Sequence, residues 1–287
     1  GAYAHFSDTM TGEAGPLTLD YWPLARNEAA ARLQFRQTPH VVACFEHWFG
    51  PFPWYADGLK LVETPHLGME HQSAVAYGNG YQNGYRGRDL SGSGVGLAWD
   101  FIIVHELAHE WWGNSLTTAD IADMWVHESF GNYAENLYAE CQQGREAGAR
   151  YVIGTRDGIQ NDVPIVGPYG VNRRGSGDMY SKGGNLLHTI RQVVDDDARW
   201  RAVLRGLQST FRHQIVTGQQ VQDYVSEQTG RDFSRVFAQY LTTTQIPTLE
   251  YRVEGATLHY RWADVVPGFN LPVRAALGGG AMAWLSR

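Results

Sequence analysis

FIIVHELAHEWWGN, residues 101–114, is the stretch on which the reading of this chain turns. Its apolar lead-in at 101–104 and the residues around it predict a helix over 99–111. His105 and His109 stand four apart on that helix, so both imidazoles share one face with about 6 Å between their Cβ atoms. One cation can take both. Glu106 follows the first histidine and points about 100° round the helix. That puts it beside a bound metal rather than onto it, where a general base for an activated water belongs.

A metal site that does chemistry has three protein ligands and keeps one position open for water. The third is expected from another element. Gly113 and Asn114 break the first helix, which lets a second one, predicted over 124–142 and carrying WVHESFGNYAE, return and deliver Glu128 to the two histidines. Glu135 lies seven residues further on the same face and is placed to orient a ligand histidine from behind. His127 points off that face and is not expected to be a ligand. Mixed histidine and carboxylate ligation with a water position favours zinc, one ion per chain.

Outward from this pair of helices, the chain changes character on both sides. Upstream, 17–24 alternates like a strand, Thr38 before Pro39 gives an N-cap and first-turn proline for a helix to about Phe49, and strands are expected at 59–63 and about 69–77. The Gly-rich stretch 78–96 reads as an irregular excursion. Downstream, helices are expected at 179–194 and 197–211, with two shorter ones beyond Gly218. After Pro247 the pattern returns to strands at 249–253, 258–262 and 271–277. The fold class is therefore α+β, with a small mixed sheet followed by a mainly helical part and a short C-terminal β segment.

Composition sets the outer limits. With 43% apolar and 13% aromatic residues in 287, the chain can build a sizeable core. Its net charge of −7 leaves no basic stripe for nucleic acid. No apolar run is long enough to cross a bilayer, and no targeting segment is seen, so localisation stays unknown. Cys44 and Cys141 are the only cysteines. Two buried free thiols are the favoured reading.

HELAHEWWGN, the 18 residues between His109 and Glu128, and ESFGNYAE together resemble the gluzincin aminopeptidases, the aminopeptidase N and leukotriene hydrolase type of zinc metallopeptidase. A second signature of that family is approximated by Leu67, Gly68, Met69, Glu70 and His71. The resemblance implies that Gly68, Met69, Glu70 and His71 bind substrate along an extended edge, with Glu70 gripping a free α-amine. His71 stands where the family usually has asparagine. A third match, MYSKGG, implies that Tyr180 donates a hydrogen bond to the oxyanion.

The resemblance further implies a thermolysin-like catalytic domain over 15–245. By the same resemblance residues 1–14 would be a residual strand of an N-terminal β domain, while the strand pattern after Pro247 makes 246–287 the truncated start of a C-terminal β module. Expected substrates are peptides with a free N-terminus, and flanking domains are expected in the parent chain. The alternatives are an inactive scaffold that keeps the fold, or epoxide hydrolase or endopeptidase action at the same zinc.

Overall fold

β1 (Phe6–Gly12) turns at Glu13 and Ala14 into β2 (Gly15–Trp22), and the two pair antiparallel from Phe6 with Tyr21 to Gly12 with Gly15. Along β2 the side chains alternate, with Leu17, Leu19 and Tyr21 buried and their neighbours facing outward. The chain then crosses over through α1 (Glu28–Gln34) and α2 (Thr38–Phe49) before laying β3 (Leu59–Glu63) parallel to β2. A parallel neighbour needs such a crossover. The computed structural model describes residues 1–255, 257–276 and 280–285.

The strand expected at 69–77 is two strands. β4 (Gly68–Met69) runs antiparallel to β5 (Ala74–Tyr77), and the turn between them passes through Ser73 at φ 57°. No glycine, proline or asparagine marks that turn, so the sequence reads straight through it. The sheet order is β1-β2-β3-β5-β4, which leaves β4 as a terminal strand.

α3 (Phe101–Ala108) is shorter than expected at both ends. It starts where Asp100 caps it, accepting from the backbone N–H of Ile102 and Ile103 at 3.0 and 3.3 Å. It stops because 109–116 closes into tight turns, with Gly113 at φ 134°. All eight of its residues are buried, as suits a helix covered on every side. Asp100 also accepts from Tyr77 Oη, Asn79 Nδ2 and Gln34 Nε2, at 2.6 to 2.8 Å, which binds the helix start to β5 and α1.

After β6 (Leu116–Thr118), α4 (Trp125–Gln143) packs on α3, followed by α5 (Arg145–Gly154), α6 (Ser181–Val194) and α7 (Asp197–Thr210). β7 (Gln214–Val216) pairs with β6, and α8 (Gly218–Thr229) and α9 (Ser234–Thr242) complete the helical part. The helices α1 and α5 were not anticipated. Thr38 is not a cap, because the helical path already runs through 35–37.

β8 (Thr248–Glu254) and β9 (Thr257–Ala263) cover the strands expected at 249–253 and 258–262 and pair antiparallel. The strand expected at 271–277 reduces to β10 (Arg274–Ala275), paired with β11 (Ala283–Trp284), and Leu277 lies outside the described residues. Leu271 is instead buried, and its carbonyl accepts from Trp262 Nε1 at 2.8 Å. Among the described residues no helix is long and apolar enough to cross a membrane.

The expectation of two free thiols is wrong. Cys44 on α2 and Cys141 on α4 form a disulfide, their Cα atoms 6.2 Å apart, well inside the range a disulfide spans. Their helices pack against each other. The partners are 97 residues apart in sequence, so no local spacing announces the pair.

Candidate metal centre and active site

His105 Nε2 and His109 Nε2 lie 3.2 Å apart, and Glu128 Oε2 is 3.5 and 3.4 Å from them. Tetrahedral zinc ligands at about 2.1 Å from the ion stand roughly 3.4 Å from one another. The three donors therefore fit one zinc ion. Among the described residues Glu128 Oε2 is buried without a hydrogen-bond partner, which would be costly unless a cation completes it.

The far side of each imidazole is held by protein. His105 Nδ1 donates to Glu135 Oε1 at 2.8 Å, and His109 Nδ1 to the Trp112 carbonyl at 2.8 Å. Each bond fixes the tautomer that leaves Nε2 free for metal. Glu135 is anchored in turn by Tyr151 Oη at 2.8 Å and Asn132 Nδ2 at 3.2 Å. His127 turns the other way. Its Nε2 accepts from the Thr118 N–H at 3.0 Å, and burial lowers its pKa to about 4.

Glycine lets the elements come this close. A Cβ at Gly131, on α4, would stand 3.1 Å from His109 Cε1 and 3.4 Å from His105 Cε1. A Cβ at Gly68 would collide with Glu106 Oε1. Gly68→Ala is therefore expected to displace the Glu106 carboxylate while leaving the ligand trio alone. Hydrolysis should fall by about tenfold or more with metal content unchanged, read by pairing metal analysis with kinetics; an unchanged rate would show that the contact does not matter.

Glu106 is buried, and desolvation raises its pKa above the ordinary carboxylate range, with His105 and His109 opposing and the Glu70 and Glu128 charges reinforcing. Glu70 directly follows β4, and its carboxylate oxygen, one of Glu106 and a ring nitrogen of His109 all lie within 4.8 Å of one another. The Tyr180 ring centroid is 6.0 Å from that of His105. Burial, and then the Glu128 charge, make its phenol hold its proton more tightly than usual. His105, Glu106 and Tyr180 line a cleft of about 620 Å³, whose apolar lining comes from Leu67, Tyr85, Leu90, Phe101 and Ile102.

The structure thus gathers His105, His109, Glu128, Glu135, Glu106, Glu70, Gly68 and Tyr180 in one place. Met69 and His71 are exposed on the outer strand and the turn after it. Sequence reasoning missed Tyr85 and Leu90, which the Gly-rich excursion contributes to the cleft. It also missed Glu110, fully buried beside His109, whose pKa burial pushes up to about 7. The visible signal for Glu110 was a charged residue in a stretch that is otherwise core.

A mixed sheet, a buried H-E-x-x-H helix and a carboxylate from the next helix define the class: a thermolysin-like domain of the zinc-metallopeptidase type. The family model described as the peptidase family M1 domain matches residues 88–240, and the chain belongs to that family. Probable aminopeptidase 1 of Sulfurisphaera tokodaii is 25% identical over 234 residues, covering 77% of this chain and 29% of the relative. Aminopeptidase N of Lactococcus lactis is 28% identical over 173 residues, 55% of this chain and 20% of the relative. A crystal structure of an M1 zinc metallopeptidase from Deinococcus radiodurans shares the fold at a TM-score of 0.70 and 22% identity, over 86% of this chain and 54% of that one. The chain thus spans less than a third of the length of these two curated relatives.

Proposed function

We propose that this chain is the catalytic part of a zinc-dependent aminopeptidase, with one zinc held by His105, His109 and Glu128. The observation that carries the reading is the Glu70 carboxylate, set just past the end of the outermost strand beside Glu106 and His109. An anion fixed there binds a substrate's free α-amine and allows one residue between it and the bond to be cut. Supporting it are the family and the aminopeptidase names of its relatives.

Bound zinc would polarise the carbonyl and lower the pKa of water at the site. Glu106 takes a proton from the attacking water and returns it to the departing amine, serving as base and then acid. Tyr180 keeps its phenolic proton and donates it as a hydrogen bond to the oxyanion. Glu135 keeps the His105 ring in its ligating orientation. The exposed edge of β4 offers main-chain groups along which an extended peptide can lie.

The test pairs amino-acid anilides having a free amine with their N-acetylated twins. The free amine should be strongly preferred, chelation should abolish hydrolysis, and metal analysis should find one zinc per chain. Glu70→Ala should raise KM for the free-amine substrate much more than for the blocked one. Preference for the blocked twin would sink the exopeptidase reading.

A further inference from the structure

Glu110 is fully buried at the end of the metal-binding segment, a setting a carboxylate seldom occupies unless it is paired. Its Oε1 accepts from the Ser73 backbone N–H at 2.7 Å, and its Oε2 from Asn114 Nδ2 at 3.4 Å. Asn114 Nδ2 also donates to the backbone carbonyl of Glu70 at 2.9 Å. Glu110 and Asn114 therefore hold both ends of segment 70–73.

Elsewhere the segment is held by a turn bond from the Ala74 N–H to the His71 carbonyl at 3.0 Å and by Gln72 Nε2 donating to Asp57 Oδ2 at 3.0 Å, so at Glu70 itself Asn114 supplies the tether. β4 pairs with β5 through only two residue pairs, Gly68 with Tyr77 and Met69 with Ala76. Between Glu70 and Ser73, His71 and Gln72 are exposed. The Ser73 carbonyl is taken by the Lys60 N–H at 3.0 Å, so the residue is moored in the sheet by its oxygen while its N–H, at positive φ, turns to Glu110. Neither Glu110 nor Asn114 supplies a metal donor or lines the cleft.

We propose that Glu110 and Asn114 are positioning residues that set where the Glu70 carboxylate stands relative to the metal site, and thereby how strictly the enzyme demands a free α-amine. This rests on the reading of Glu70 given above. The same eight-residue stretch, 107–114, then serves two ends. It presents His109 to the metal and gauges the distance to the amine anchor, so the two cannot shift independently.

The experiment measures kcat and KM for a free-amine anilide and its N-acetylated twin in the wild type, Glu110→Leu, Glu110→Gln and Asn114→Ala, with zinc content determined for each. Glu110→Leu strands the buried Ser73 N–H, and a loss of that kind corresponds to about tenfold or more. The expected result is a KM increase of about that size for the free amine, a matching fall in amine selectivity, full zinc and little change in kcat. Glu110→Gln should recover most of the selectivity, because its amide oxygen still accepts from Ser73. Asn114→Ala, at a half-buried position, should show the same trend more weakly and gives a second reading if Glu110→Leu does not fold.

Folded, zinc-loaded variants with wild-type selectivity would overturn the proposal and leave the role of Glu70 standing. Loss of kcat with selectivity unchanged would also overturn it, since that is what a purely structural part would give. A wild type indifferent to acetylation would overturn the reading of Glu70 and this inference with it.

Discussion

Glu106→Gln is expected to keep its zinc and lose about a hundred- to ten-thousand-fold in kcat, the usual worth of a general base that also serves as acid. Glutamine fills the same volume but neither takes nor returns a proton. The metal should stay, because Glu106 is not one of the three converging donors. The fold should tolerate the change as well. Burial disfavours a charged carboxylate at this position, so an uncharged side chain of the same size is accommodated. Metal analysis beside single-turnover kinetics checks both halves, and near-normal turnover in the variant would refute the assigned chemistry.

The largest effect on stability is expected from the disulfide. Opening the Cys44–Cys141 link frees a loop with a sequence separation of 97 residues, and loss of a native bridge of this kind costs roughly 2–5 kcal/mol. For a chain of this size that lowers the melting midpoint by on the order of 3–8 °C. The Cys44→Ala/Cys141→Ala double variant and the reduced wild type should melt at similar temperatures, both below the oxidised protein. Thiol labelling of the unfolded, unreduced protein should find no free cysteine. Identical midpoints with and without reductant would show that the bridge carries no load. A bond of this kind lasts where thiols are not kept reduced.

The parts of the fold legible in the sequence are those whose cause is local. The spacing of His105 and His109, the helix carrying Glu128 and the helix that begins just after Tyr180 are written within one or two turns of the chain. β3 was placed at Leu59–Glu63 by the same kind of evidence. Turn chemistry failed at Ser73, where the left-handed conformation is supported by Glu110 and Lys60 rather than advertised by glycine or asparagine. α3 was drawn too long because its limits come from the Asp100 cap and from the turns after His109. The disulfide, the Glu110 clamp and the cleft wall from Tyr85 and Leu90 all join distant segments. Only the folded arrangement shows them.

One helix concentrates these constraints. Glu128 sits in the first turn of α4 and Cys141 in its last, thirteen positions and about 20 Å apart along the axis. Metal coordination would pin one end and the disulfide pins the other, so α4 behaves as a beam built in at both supports, with Asn132 and Glu135 at mid-span. A beam clamped twice resists rotation as well as displacement, and release at either support turns the other into a pivot. Reduction should therefore loosen the protein's hold on zinc from the opposite end of the helix, and chelation should leave the disulfide easier to reduce.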